Sequence, residues 1–235
     1  MKQSDIQVTL IDHMGSDLSI VNAARVSFNK ESEYDLIKGP SDSTFEDSGK
    51  LALKESDAKL IRYLAKHKHF SPFNHSFITM RIKAPIFVAR QLVKHRFMPW
   101  NEVSRRYVDE EPEFYIPNEG WRSKADNVKQ GSGQVFGPTT FQDDLTDRVE
   151  KVIIHSLDTY EDLMNSGVCA EQARMVLPQN MMTEWIWSGT LGAWCDMLRL
   201  RLDPHTQYES RIVAQKAREI IEPLFPVSVK ALLND

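Results

Sequence analysis

Five cations fall between residues 90 and 106: Arg90, Lys94, Arg96, Arg105 and Arg106. Glu102 is the only carboxylate among them, so these 17 residues carry +4, five positives less one negative. Phe97, Trp100 and Tyr107 lie among the charges, and His95, Asn101 and Ser104 add an imidazole, an amide and a hydroxyl. A plain basic face turned to water is the competing reading. Two features weigh against it: Pro99 interrupts any regular helix, and the polar set is chemically mixed. Such a set can hold a phosphate through guanidinium forks and read a ring by hydrogen bonds. Just upstream, Gln91 and His95 are spaced i, i+4, with Arg90 and Lys94 as the adjacent row.

A second constellation runs from Leu200 to Glu209, with Arg201 at the end of an apolar stretch containing Trp194, Met197 and Leu198. An arginine there needs a partner or water, because an unpaired buried charge is costly. It could equally balance a helix dipole, and His205 with Glu209 could be a surface pair. A third segment holds His67, His69 and His75. No carboxylate or cysteine joins them at a metal-binding spacing, so a capping or ligand-binding turn is expected rather than a metal site. Phosphate-loop, dinucleotide and serine-elbow motifs are absent from the sequence. Cys169 and Cys195 lack basic neighbours, which argues against a thiolate nucleophile.

The rest of the chain must position these groups. It has 235 residues, with 33 acidic against 29 basic, a net charge of -4. That balance excludes a generally basic nucleic-acid coat and an acidic disordered tail. Two cysteines make no disulfide framework and fit a cytoplasmic setting. No leader is expected of the opening residues, which carry Lys2 and Asp5. The longest uncharged apolar stretch, Trp185–Cys195, spans eleven residues, whereas a membrane span needs about 20.

Residues 6–11 read as a strand, and 75–83 alternate as another. Ser56 is expected to cap a helix ending near His69, and Pro85 to open one reaching His95. Residues 97–117 are expected to be irregular with extended pieces, and 31–53 and 118–140 to be long loops. From Thr140 onward the pattern reads as helical: Thr140–Asn165, 169–177, Thr183 to Leu202, Pro204 to Leu224, then a short helix from Pro226. Strands and helices first, helices later, predict an α+β domain.

Lys94-His95-Arg96, seven residues, then Ser104 resembles the signature of flavin-dependent thymidylate synthases, Arg-His-Arg, seven residues, Ser. The likeness extends to Ala89-Arg90-Gln91, Asn101-Glu102-Val103, Arg106-Tyr107, Ala23 to Phe28, His67 to His75, Ala173-Arg174, Val176-Leu177-Pro178 and Arg201 to Glu209. It covers most of the chain outside 31–53 and 118–140. The resemblance implies one domain over 1–235, a mixed or antiparallel sheet with a large helical portion, and a homotetramer with active sites shared between chains. It implies methylation of deoxyuridine monophosphate (dUMP) to thymidylate, with FAD as cofactor, NADPH as reductant and methylenetetrahydrofolate as carbon donor. Neither nucleic acid nor membrane is expected as a partner, although a non-catalytic nucleotide or single-stranded nucleic-acid binding module stays open.

Carried over by position, Arg90, Gln91, Lys94, Glu102, Val103, Ser104, Arg105, Arg106 and Arg174 resemble nucleotide contacts. Arg201 is similar to the family's substrate-activating arginine and joins them. His69, Ser71, Lys94, His95, Arg96, Phe97, Asn101, Glu102, Thr190, Asp196 and His205 resemble flavin contacts. Three features depart from the family pattern. Lys94 replaces an arginine and loses its fork. Arg105 stands where a small residue is common. Thr190, Gly192 and Asp196 stand where amides or arginine are common.

Overall fold

The computed structural model describes residues 1–36, 51–108, 110–126 and 131–234. The chain opens with β1 (Lys2–Gln3), β2 (Gln7–Met14) and α1 (Asp17–Arg25). Short strands β3 (Asp35–Leu36) and β4 (Leu51–Ala52) pair antiparallel before α2 (Glu55–Lys66). Next come β5 (Phe77–Pro85), α3 (Ile86–Leu92), β6 (Trp100–Glu102) and β7 (Glu113–Phe114). An antiparallel pair, β8 (Arg122–Lys124) and β9 (Ser132–Val135), precedes α4 (Thr139–Asn165) and α5 (Ala170–Ala173). The chain finishes with β10 (Met182–Thr190), α6 (Leu191–Arg201), α7 (Tyr208–Leu224) and α8 (Pro226–Leu233).

The main sheet has the order β2-β5-β10-β6, and every neighbouring pair is antiparallel. β1 and β7 form a separate parallel pair. Along β5, Ile78, Met80, Ile82 and Ala84 are fully buried while Thr79, Arg81 and Lys83 face the other way. That is the two-residue period of a half-buried strand, and it matches the expected alternation.

β10 corrects the expected helix from Thr183. Thr183, Trp185 and Trp187 alternate inward, with Trp185 opposite Ile82 and Trp187 opposite Met80. The segment lies between β5 and β6, so it is a central strand. Bulky aromatic and β-branched side chains suit that buried pleated surface. Trp185 stacks on Trp100 at 4.3 Å, and Trp187 meets Trp194 edge-on at 5.0 Å. The indole of Trp194 donates to the carbonyl of Ile78 at 3.1 Å, fixing α6 against β5.

The helix instead begins one residue after Thr190, whose hydroxyl accepts from the amide of Ala193 at 3.2 Å. It also donates to Asn74 at 2.8 Å. Thr190→Ala removes both contacts. Its expected cost is about 1 kcal/mol or somewhat more, measurable as a lower urea midpoint at unchanged slope.

Other boundaries shift slightly. α2 starts at Glu55 after Lys54 rather than at a Ser56 cap, with Glu55 and Asp57 in its first turn. α4 starts at Thr139 after Pro138. On its surface Val152 is 59% exposed, while Ile153 is buried with Phe114, Ile116 and Met181. α7 starts at Tyr208, four residues after Pro204. The expected loop 31–53 contains β3 and β4, with 37–50 outside the described residues. The expected loop 118–140 contains β8 and β9, with 127–130 outside them. At the far end, buried Asp17 accepts from the amides of Val227 and Ser228 at 2.8 and 3.0 Å, tying α1 to the start of α8. Among the described residues no helix is long and apolar enough to cross a membrane.

Candidate active site

α3, the end of α6 and the start of α7 converge on a cleft of about 700 Å³. α3 and its exit supply Arg90, Gln91 and Lys94, α6 supplies Leu200 and Arg201, and the following turn supplies His205, Thr206 and Gln207. α7 adds Tyr208 and Glu209, and the β8–β9 pair adds Arg122 and Ser132 with Gly131 beside them. Arg90, Lys94, Arg122 and Arg201 against Glu209 leave +3 in the wall, four positives less one negative. Arg90 and Lys94 have no hydrogen-bond or ion-pair partner among the described residues. Unpaired cations in a concave site favour an anionic ligand.

Arg201 is held at two points. Its Nε donates to Nε2 of His95 at 3.0 Å, and Nη2 donates to the carbonyl of Gln91 at 3.2 Å. Burial, and then the adjacent Arg201 charge, push the His95 imidazole down to about 4. His95 is therefore neutral near pH 7, with Nε2 as acceptor and the proton assigned to Nδ1. The ring tilts against Trp187 at 6.1 Å. Burial also lowers the pKa of Arg201, yet a guanidinium stays charged at any working pH.

A free histidine titrates near 6.5, but this one resists protonation until about 4. Between those values the unfolded chain binds a proton that the native chain does not. Stability contributed through His95 is thus complete above 6.5 and falls as pH drops toward 4. The expected result is that His95→Gln flattens this part of a stability-against-pH curve measured by urea unfolding.

A hydrogen-bond chain sets the opposite wall. Ser210 donates to Oε1 of Gln91 at 3.0 Å, and the Gln91 amide donates to Oε1 of Gln207. Gln207 donates to Glu209 at 3.2 Å, and Glu209 pairs with Arg122. Arg122 also donates to Ser132 at 2.8 Å and lies 4.3 Å from the centre of the Tyr208 ring. Gly131 has φ +89°, and a Cβ there would sit 3.2 Å from the His205 carbonyl. The backbone near β9 can therefore approach the 202–207 turn closely.

The cleft gathers Arg90, Gln91, Lys94, Arg201 and His205 from the expected site residues, with His95 holding Arg201 from behind. The others lie elsewhere. Asn101 and Glu102 are on β6, beside Val103, around a second cleft of about 230 Å³. Glu102 accepts from Thr183 at 2.8 Å and from the Trp100 indole at 3.0 Å. The Val103 amide donates to the Glu184 carbonyl at 2.8 Å, so the sheet uses it. Arg105 folds back onto the carbonyls of Val108 and Glu110. Arg106 donates to Ser104 at 3.1 Å and pairs with Glu171 at 3.5 Å. Arg174 is exposed on the 3-10 turn after α5.

His69 and Ser71 follow α2, and both are exposed. Thr190 caps α6, and the Asp196 carboxylate is held by Arg199 at 2.8 Å. Arg96 and Phe97 are exposed after α3, Phe97 with φ +61° and 86% of its surface in solvent. His205 points its Nδ1 to Asp203 at 3.0 Å. Cys195 is buried, which pushes its thiol up to about 12, and Cys169 is exposed. Sequence reasoning left out Arg122 and the roles of Gln207 and Glu209. Glu209 was legible only as a carboxylate in the helix expected from Pro204, and Arg122 lies in a polar three-residue strand without apolar alternation.

Fold and cleft together define an antiparallel α/β protein with a cationic, amide-lined site of nucleotide size. The chain belongs to the thymidylate synthase complementing protein family, whose model matches residues 9–227. It is 36% identical over 228 residues to a flavin-dependent thymidylate synthase of Thermotoga neapolitana, covering 97% of this chain and 90% of that one. A flavin-dependent thymidylate synthase of Thermus thermophilus is 37% identical over 221 residues, covering 94% and 73%. Among solved structures, the UMP/dUMP methylase PolB from Streptomyces cacaoi bound with 5-Br dUMP superposes with a TM-score of 0.82 at 28% identity. The match covers 100% of this chain and 97% of that one. The same enzyme bound with 5-Br UMP gives 0.81 at 29% identity, covering 99% and 95%.

Proposed function

We propose that this protein is a cytoplasmic flavin-dependent thymidylate synthase that methylates dUMP, with FAD as cofactor, NADPH as reductant and methylenetetrahydrofolate as carbon donor. The observation that carries this reading is the fixed guanidinium of Arg201 in a cationic cleft. Arg90, Lys94 and Arg122 suit the phosphate, and Arg201 suits a uracil ring. A permanent cation beside the ring imide lowers the cost of negative charge there. It needs no reorganisation, because neutral His95 and the Gln91 carbonyl already orient it. Neither cysteine lines the cleft, and Cys195 is held as a thiol, so activation by charge rather than by a sulfur nucleophile fits the residues present.

The donor set also fits a flavin nucleotide. Arg96 is exposed and, among the described residues, without a partner, which suits a diphosphate. Phe97 offers an exposed ring from a left-handed backbone. A Cβ at Gly192 would lie 2.7 Å from Oδ1 of Asn74, so the start of α6 is packed for close approach. His69, Ser71, Lys94, His95, Arg96, Phe97, Asn101, Glu102 and His205 would hold the flavin, with Thr190 and Asp196 at its edge. Bound FAD supplies the reducing equivalents.

The dispersal of these residues over separate regions of one chain supports a homotetramer in which each site draws on several chains. Exposed Phe97, Tyr107 and Met175, at 86%, 77% and 79%, supply apolar surface for such contacts. Tritium release from 5-tritiated dUMP with FAD, NADPH and methylenetetrahydrofolate is the deciding assay. A preparation that stays colourless after reconstitution with FAD, and that binds oligonucleotides with steep salt dependence, would replace this reading with a nucleic-acid-binding module.

A further inference from the structure

A second basic cleft, of about 690 Å³, lies among α2, α6 and α8 and shares no lining residue with the first. Its cations are Arg62, Lys66, Lys68, Arg199 and Lys230, and no carboxylate is among its described lining residues. Arg62 pairs with Glu55 at 3.1 Å, and Arg199 pairs with Asp196 at 2.8 Å. Lys66, Lys68 and Lys230 have no partner among the described residues.

Three helices bring their last turns here, through Lys66, Arg199 and Lys230. Each helix end carries about half a negative charge, so balancing dipoles is the purely structural account of these cations. The charges do not cancel. Five cations less two paired carboxylates and about one and a half units of helix dipole leave the cleft clearly positive. Lys68, with φ +58°, closes the C-terminal cap of α2, its amide on the Ala65 carbonyl at 3.1 Å and the His69 amide on Leu64 at 2.9 Å, so it adds a second cation at one helix end that Lys66 already serves. Phe70 adds a ring that is 40% exposed. Flexible ammonium groups beside an exposed ring suit a purine carrying more than one phosphate.

We infer that this cleft binds the 2′-phosphoadenosine end of NADPH, an inference that rests on the flavin-dependent reading above. Lys68 and Phe70 flank His69, and Arg199 holds Asp196, so the cleft adjoins residues assigned to the flavin. A dinucleotide with its nicotinamide at the flavin can extend its phosphorylated end here. Lys66, Lys68 and Lys230 then contact the phosphates, and Phe70 packs on the adenine.

The test uses FAD-loaded protein and anaerobic flavin reduction by NADPH and by NADH. Lys66→Ala/Lys230→Ala replaces two exposed helical residues. The expected result is a fall of about tenfold or more in preference for NADPH over NADH, carried by the half-saturating NADPH concentration. Equal losses with both nucleotides, or no change in preference, overturn the inference. Loss of bound FAD from the variant overturns it too, assigning the cleft to the flavin's own adenosine. A second readout is independent of flavin chemistry: calorimetric titration with 2′,5′-adenosine bisphosphate in the presence of saturating dUMP. Saturable binding weakened by the double variant supports the assignment, and no binding overturns it. Wild-type protein that binds this bisphosphate but releases no tritium refutes the thymidylate synthase reading while leaving the cleft's ligand chemistry in place.

Discussion

Arg201→Ala loses turnover by about 10²- to 10³-fold while still binding FAD. The magnitude is that of removing one preorganised charge or donor from a developing anion. The protein positions Arg201 through two contacts that do not need the substrate, at 3.0 Å to His95 and 3.2 Å to the Gln91 carbonyl. Its cation is therefore in place before any ligand arrives, and the loss falls on turnover more than on nucleotide binding. Arg201→Lys separates charge from geometry. Lysine keeps the cation but cannot hold both acceptors with a planar fork, so its activity lies between alanine and wild type. Tritium release read beside flavin absorbance checks both variants. Near-normal release in Arg201→Ala would remove the assigned role. Loss of FAD in parallel with activity would make Arg201 a structural residue of the flavin site.

The way Arg201 is held shows where sequence reading worked. Of the residues named around Lys94-His95-Arg96, the structure brings Arg90, Gln91 and Lys94 to one cleft with Arg201, and Gln91 and His95 both contact Arg201. The helix expected to reach His95, with Gln91 and His95 on one face, is shorter than that. α3 stops at Leu92, so His95 lies beyond the helix and meets Arg201 from a turn. Strand β5 was legible because one face is buried and the other is not, which writes a clean two-residue alternation. β10 was not, because a central strand flanked by two others carries bulky residues on both faces. Its Trp185-Ile186-Trp187 run has no polar position to mark the period. Helix α7 was legible from its amphipathic pattern, although its start lies past Pro204. β8 and β9 were hidden by composition. Arg122, Ser123 and Lys124 hold their place through partners distant in sequence, and no local propensity announces that. The division of the site follows from the same limit. Of the residues that the motifs name, the described chain brings only some into one cleft.

Glu209→Ala is the substitution with the largest expected effect on stability. Glu209 is buried, and it accepts from both Arg122 and Gln207. The Arg122 side chain is only 17% exposed, so deleting its partner strands a cation that water reaches poorly. Breaking such a pair from one side costs about 3–5 kcal/mol, a large share of the roughly 5–15 kcal/mol that holds a domain folded. Urea unfolding reads this directly. Glu209→Gln keeps an oxygen for Gln207 but drops the charge, so it falls between the two. The double change Glu209→Ala with Arg122→Ala removes the stranded cation, and it is expected to be more stable than Glu209→Ala alone. If the double variant is instead worse by the sum of both single changes, the pair contributes no coupling and the ion-pair account fails. The functional consequence follows the hydrogen-bond chain. Glu209 holds Gln207, and Gln207 holds the side-chain amide of Gln91, so the three together set the cleft wall beside Arg201. Loosening Glu209 therefore loosens that wall of the cleft, so on the proposed reading Glu209→Gln is expected to raise the half-saturating dUMP concentration even where the protein remains folded.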